Sequence, residues 1–230
     1  MKKLCFFILA FMIICGNAFG AITYRASNVA SDVTDAITIT KPAGTVDGDV
    51  LIAIINGNGN GLTITSAGWV SIDVVDDASA TMEIFYKVAS SEGADFTFDM
   101  GYELRVSGVI STFTGVDTAD VDDTHSSNKN SSTTSHVATG ITTGADNIML
   151  IYAAGYDSGS TYTWTPPSGF DEAAESGAAA GTTIAYDIQS SAGASGDKTA
   201  TLSGAKSGVA FLFGLNPAAA ASTRRIMVIQ

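Results

Sequence analysis

The chain has very little of what an enzyme active site usually needs. Its two cysteines, Cys5 and Cys15, both lie between Met1 and Gly20, and its two histidines, His125 and His136, lie in a polar stretch where nothing would fix a catalytic geometry. We therefore predict no catalytic residues and no metal centre built on Cys or His. If the segment from Met1 to Gly20 is removed, a disulfide is excluded as well.

Basic side chains are also scarce. The chain has 11 Lys and Arg against 23 Asp and Glu, and two of the lysines, Lys2 and Lys3, lie before Gly20, where there is no acidic residue. Without that N-terminal segment the formal net charge is 9 − 23 = −14. This balance argues against nucleic acid and anionic membranes as partners, because both need a basic surface.

The segment from Met1 to Gly20 has the pattern of a secretory signal peptide. Two lysines precede an apolar stretch from Leu4 to Ile14, and small residues at Ala18 and Gly20 predict cleavage after Gly20. A membrane anchor would need about 20 apolar residues, and a lipoprotein attached through Cys15 would need a smaller residue before it. We expect a secreted protein, extracellular or on the cell surface, with the periplasm as an alternative and no membrane span after processing.

Long apolar runs with helical periodicity are missing from the rest of the chain. Short alternating or continuous apolar segments stand in their place, such as AITITK at 36–41, DVLIAII at 49–55 and TMEIFYKV at 81–88. Alternation and short apolar blocks between Gly-rich turns are typical of β-strands. The sequence therefore predicts an all-β fold.

Part of the sequence recurs further along the chain, with position numbers displaced by 100. SSEGA at 90–94 is echoed by SSAGA at 190–194, and SGV at 107–109 by SGV at 207–209. Between residues 80 and 113 this displacement gives 11 identities in 34 positions without a gap. We interpret this self-similarity as an internal duplication of a β-meander, with the shared Gly/Ala/Ser composition as the alternative explanation.

Two such halves predict one antiparallel β-sandwich of jelly-roll-like type, since each copy would cover the apolar face of the other. We expect a single domain at 21–217, with repeat halves at about 36–117 and 137–217. The polar stretch 118–136 is predicted to be a loop between the halves. Residues 218–230 would form an Ala-rich linker and a strand-like C-terminal tail.

Seven motifs occur in order between about residues 35 and 218: PAGTVDGDVLIAII, SAGWV, IFYKVASSEGADFTF, SGVISTFTGVD, TPPSGF, GASGDKTATLSG and VAFLFGLNPA. As a group they resemble a Gly/Ala/Thr-rich β-sandwich module that recurs in secreted bacterial surface proteins and phage tail-associated proteins. The resemblance implies a β-sandwich in an extracellular or virion-surface setting. Since that module has no common catalytic centre, it implies no active residue.

Acidic residues cluster in VDTADVDD, which contains Asp117, Asp120, Asp122 and Asp123. Carboxylates on flexible loops are the ligands that calcium prefers, but the spacing is not that of an EF-hand. Two interpretations stay open: a calcium site and a solvated acidic loop. No other cofactor is predicted.

Aromatic residues supply the candidates for a ligand surface. Tyr156 and Tyr162 flank DSGS in what we expect to be an exposed hairpin loop, where they would suit a glycan. Trp69 and Phe170 each follow a glycine at matching points of the two halves, which favours packing in the core over sugar stacking.

The chain ends in AAAASTRRIMVIQ, after the predicted sandwich is complete. Arg224, Arg225, Ile226 and Val228 could form a docking strand for a second copy or for a surface or appendage partner. The alternative is that the tail folds back or frays. The function predicted is that of a non-catalytic structural or adhesive module of a cell surface, appendage or virion, with a carbohydrate-binding module as the alternative.

Overall fold

The computed structural model describes residues 20–157, 161–177 and 180–219. Within these ranges the chain forms thirteen β-strands. In chain order they are β1 (Thr23–Thr40), β2 (Val50–Asn58), β3 (Val70–Asp76), β4 (Ala80–Val88), β5 (Asp95–Thr114), β6 (Asp122–Ala138), β7 (Thr142–Thr143), β8 (Ile148–Tyr156), β9 (Trp164–Thr165), β10 (Asp171–Ser176), β11 (Gly181–Gln189), β12 (Gly193–Ala194) and β13 (Lys198–Leu215).

The longer strands form two antiparallel sheets. The first sheet has the order β1-β5-β2-β4-β3, and the second has the order β6-β13-β8-β11-β10 with the short β9 added beside β13. One apolar core is shared between them, with side chains from β2, β4 and β5 packed against side chains from β8, β11 and β13. The predicted all-β class and antiparallel sandwich are confirmed.

Each sheet is built from one half of the chain. The five longer strands of the second half can be matched in chain order to those of the first: β6 to β1, β8 to β2, β10 to β3, β11 to β4 and β13 to β5. With this matching the two sheets have the same strand order. That order is not the predicted meander, because β4 lies between β2 and β3. The five longer strands of each half also stay within one sheet, and the short β7 and β12 pair separately, so a jelly-roll connectivity is not seen among the described strands. The duplication itself stays a prediction.

The continuous apolar blocks lie in the central strands, where both faces are covered. Ile52 and Ile54 of β2 face the second sheet, whereas Leu51, Ala53 and Ile55 face the opposite side, and all five are fully buried. The second sheet repeats this arrangement in β8. A strand buried on both faces needs an unbroken apolar sequence, which explains why these segments do not alternate.

The outer face of each sheet is covered by its own longest strands. In β1 the pairing register with β5 shifts between Thr34 and Ala36, and the strand folds back so that Asn28 Nδ2 donates to the carbonyl oxygens of Thr40 and Lys41 at 3.0 and 3.1 Å. Residues 37 and 39 thereby join the outer core of the first sheet. In β6, Asn128 makes the matching bond to the carbonyl of Val137 at 3.1 Å.

The prediction of a loop at 118–136 is wrong for most of its length. Residues from Asp122 onward form β6, which pairs with β13 as the edge strand of the second sheet. The halves also extend further toward the N-terminus than predicted, since β1 begins at Thr23. An edge strand needs few apolar side chains, so its polar sequence resembles that of a loop.

Candidate functional site

Three aspartates of the acidic cluster, Asp117, Asp122 and Asp123, bind separate partners. Asp117 Oδ1 accepts the N–H of Ala119 at 2.9 Å, and Asp123 Oδ2 accepts the N–H of Gly144 at 2.9 Å. Across residues 20–157, 161–177 and 180–219, no three Asp, Glu, His or Cys side chains converge in a group that could hold a metal ion. Calcium binding therefore stays a prediction, and the hydrogen bonds of these aspartates do not favour it.

Asp122 is the most constrained member of this cluster. Its Oδ2 lies 2.6 Å from His125 Nδ1. Burial raises the pKa of Asp122, and the contact with His125 opposes that effect. The pair joins two residues of one edge strand, and we assign it a local structural role.

The expectation that Tyr156 lies in an exposed loop is wrong. Tyr156 is fully buried in the outer core of the second sheet, and Tyr162 is half-buried with its ring centroid 5.7 Å away. The N–H of Tyr162 donates to Tyr156 Oη at 3.1 Å. Burial raises the pKa of Tyr156. Tyr156 therefore belongs to the core, and only Tyr162 stays partly accessible to a ligand.

His136 lies in the stretch predicted to be a loop, yet it is also buried. Its ring packs edge-on against Trp164 at 5.0 Å, and neither ring nitrogen has a hydrogen-bond partner among the described residues. Burial lowers the pKa of His136 to about 4, so the ring is neutral at physiological pH. His125 is exposed, as expected of a surface histidine.

The proposed docking residues Arg224, Arg225, Ile226 and Val228 lie outside the described residues. The described chain ends at Ala219, close to the point where β1 begins. The N–H of Ala218 donates to the carbonyl of Gly115 at 2.8 Å, and its carbonyl accepts the N–H of Gly20 at 2.9 Å. The described chain therefore ends beside Gly20, which precedes β1.

The edge strands of the first sheet expose valine. On β1, Val29 and Val33 are 46% and 52% exposed, and on β3, Val70 and Val74 are 48% and 44% exposed. On β1 no register shift separates the two valines, so both side chains point to the same face of the strand. On β3 a register shift between Ser71 and Asp73 places Val70 and Val74 on opposite faces.

The edge strands of the second sheet carry polar or charged residues at the matching positions. By pairing register, Lys129 of β6 matches Val29 of β1, and Asp171 and Glu175 of β10 match the two valines of β3. Thr133 of β6 takes the register position of Asp32. Charged edges discourage pairing with another chain. The second sheet thus carries charge at both edges at positions where the first sheet exposes valine.

A cavity of about 260 Å³ opens along β1 where the strand folds back. Ala30, Ser31, Thr34 and Thr38 are among the residues that line it. The exposed carboxylates of Asp32 and Asp35 lie in the same stretch. This edge thus combines the outermost strand of a sheet, two exposed valines and two acidic side chains.

The sequence alone did not identify this edge. Residues 23–35 have no clean alternation, and the exposure of Val29 and Val33 depends on where the second sheet ends. The repeat carried a signal, since extending the same displacement to β1 matches Val29 to Lys129 and Val33 to Thr133.

Comparison of the chain with protein-family models, with curated proteins and with solved structures gives no match. Within the described part of the chain, no helix has the length and hydropathy needed to cross a membrane.

Proposed function

We propose that this chain is an exported, non-catalytic structural or adhesive module that assembles by β-strand addition. In this assembly the C-terminal segment of one copy pairs with the outer edge of β1 on a neighbouring copy. The observation that carries the proposal is the exposure of Val29 and Val33 on an edge strand whose counterpart, β6, is polar. A cell surface, an appendage or a virion would be the setting, as the signal-like N-terminus and the module resemblance imply.

The chemistry of the C-terminal segment suits that edge. In an extended strand, Ile226 and Val228 would point to one face, where they can pack beside exposed valines. Arg224 and Arg225 precede them and are attracted to the acidic side chains of β1. On a chain with a large negative charge, this segment is a local positive site that draws two copies together.

The segment is also long enough. Residues 220–230 can span about 36 Å at ~3.3 Å per residue in an extended conformation. Since Ala218 lies beside Gly20, the segment starts at the end of the sandwich where β1 begins. It can therefore reach the β1 edge of a copy stacked on that end.

The test is the oligomeric state of the exported, processed chain with and without residues 222–230. We expect light scattering after size-exclusion chromatography to show concentration-dependent association of the complete chain and a monomer after the deletion. A matched control replaces Ile226 and Val228 with serine, which keeps the length and the arginines but removes the apolar contacts. If the complete chain stays monomeric at high concentration, or the deletion leaves association unchanged, the proposal is wrong.

A further inference from the structure

A second cavity, of about 290 Å³, opens on the first half of the chain. Its walls combine aromatic rings, an ion pair and hydroxyl or carboxylate groups. The residues used below are Ser66, Trp69, Lys87, Glu92, Asp95 and Phe96.

A tight turn holds Trp69 at this cavity. The N–H of Trp69 lies 3.4 Å from the carbonyl of Ser66, and Gly68 has a φ of +77°, which glycine adopts without strain. The Trp69 ring packs edge-on to Phe96 with centroids 5.2 Å apart. A side chain at Gly68 would also contact Lys87 Nζ at 2.9 Å, so the turn leaves room for the ammonium group.

The ion pair is fixed in place by its surroundings. Lys87 Nζ lies 3.2 Å from Glu92 Oε2 and 5.9 Å from the centroid of the Phe96 ring. Glu92 Oε1 also accepts the N–H of Ser90 at 3.1 Å, and Lys41 Nζ donates to the carbonyl of Glu92 at 3.0 Å. The Lys87 ammonium, as donor, and the Glu92 carboxylate, as acceptor, are therefore positioned before any ligand binds. This positioning reduces the entropic cost of binding.

The second half of the chain builds the same strands without these groups. Where the first half has Lys87, Glu92 and Phe96, the second has Asp187, Ala192 and Gly196. The loops SSEGA and SSAGA differ only at the glutamate that forms the ion pair. Since the strand order does not require the ion pair or the second aromatic ring, these groups are free to serve binding.

We propose that this cavity binds a single neutral sugar ring. The half-buried ring of Trp69, packed against the buried Phe96, suits the C–H face of a pyranose. The ammonium and the carboxylates of Glu92 and Asp95 suit its hydroxyl groups as donor and acceptors. The nearby carboxylates disfavour an anionic ligand. The volume lies at the lower limit of the ~300–1,000 Å³ typical of ligand pockets, which fits one ring. This site does not depend on the assembly proposed above.

The test is titration of the exported, processed chain with glucose, galactose and N-acetylglucosamine, followed by tryptophan fluorescence. The chain has two tryptophans, and Trp164 is buried in the other half, so Trp69 is the reporter. We expect a saturable change with at least one sugar. The same titration is repeated with β-linked tetramers of these sugars. If the ligand is the terminal unit of a glycan, the tetramer binds more tightly than the monosaccharide. If the ligand is a free monosaccharide, the tetramer does not bind more tightly.

Two variants and a matched control complete the test. Glu92→Ala recreates the SSAGA loop of the second half and should weaken binding at least ~10-fold. Glu92→Gln removes the charge and the ion pair with Lys87 and should also weaken binding at least ~10-fold. Lys198→Met removes the cation that lies 5.8 Å from the Phe170 ring in the second half and should leave binding unchanged. No saturation with any sugar, saturation by a zwitterionic amino acid in its place, or full binding by folded Glu92→Ala overturns the proposal.

Discussion

Asn56 and Tyr156 are 100 positions apart in the chain, and a hydrogen bond between them joins the two sheets of the sandwich. Asn56 Nδ2 donates to the carbonyl of Tyr156 at 3.0 Å and also to the carbonyl of Gly181 at 3.0 Å. Tyr156 and Gly181 form the last pair of the β8–β11 ladder, so one amide group satisfies two buried carbonyls at its end. The absence of a side chain at Gly155 lets Asn56 approach, because a Cβ there would lie 2.6 Å from Asn56 Cγ.

Replacing Asn56 with leucine should therefore destabilise the fold by about 2 to 3 kcal/mol, because two buried carbonyls lose their donor while the branching of the side chain at Cγ is kept. Urea unfolding followed by circular dichroism measures the effect. Asn58→Leu is the control, since Asn58 is less buried and makes a single bond to the carbonyl of Asp157. Equal losses for the two variants would contradict a special role for Asn56.

His136 should make stability depend on pH. The pKa of its ring is about 4 in the folded chain and about 6.5 when unfolded, so the unfolded chain binds more protons between these values. Above pH ~6.5 the ring is neutral in both states, so His136 does not change the free energy of unfolding. As the pH drops to ~4, preferential protonation of the unfolded chain lowers the free energy of unfolding by about 3 kcal/mol.

Because buried carboxyl groups also titrate, the measurement is the difference in unfolding free energy between the wild type and His136→Phe across this range. The difference should shift in favour of the variant as the pH falls. His125→Phe, at an exposed position, should show a much smaller trend. A pH-independent difference for His136→Phe would contradict the burial of this ring.

Asp49 supports the start of β2 through two contacts. Its Oδ2 lies 2.8 Å from Arg25 Nε and accepts the N–H of Val46 at 2.9 Å, and the carboxylate is buried. Asp49→Ala should cost about 2 kcal/mol, since the loop loses its acceptor while the half-exposed Arg25 can still be hydrated. Thermal denaturation of this variant and of Asp47→Ala, at a solvent-exposed position, tests the estimate. A loss no larger than that of Asp47→Ala would contradict it.

The central strands could be predicted from the sequence, because burial on both faces imposes an apolar block such as VLIAII. Strand β6 could not, since an edge strand built of Ser, Thr and Asn has the composition of a loop. The composition of residues 171–181 favours a helical turn or a loop, yet residues 171–176 pair with β11 as a strand. In both cases long-range pairing overrides local propensity.

The candidate sites were harder to predict than the fold for a similar reason. Tyr156 follows an apolar block and precedes a turn, and only tertiary packing decides that its ring points into the outer core. The cavity beside Trp69 combines residues from three separated segments, which no local pattern brings together. The exposed valines on β1 depend on how far the second sheet extends.

The central claim is that the β1 edge of the first sheet accepts an added strand, and sedimentation velocity of an edge variant tests it most directly. Val29→Lys with Val33→Lys changes two exposed positions and gives β1 the lysine that β6 already carries at position 129. We predict that this variant stays folded and monomeric at concentrations where the wild type associates, while Thr133→Lys on β6 associates normally. Association of the double variant equal to that of the wild type would contradict the account.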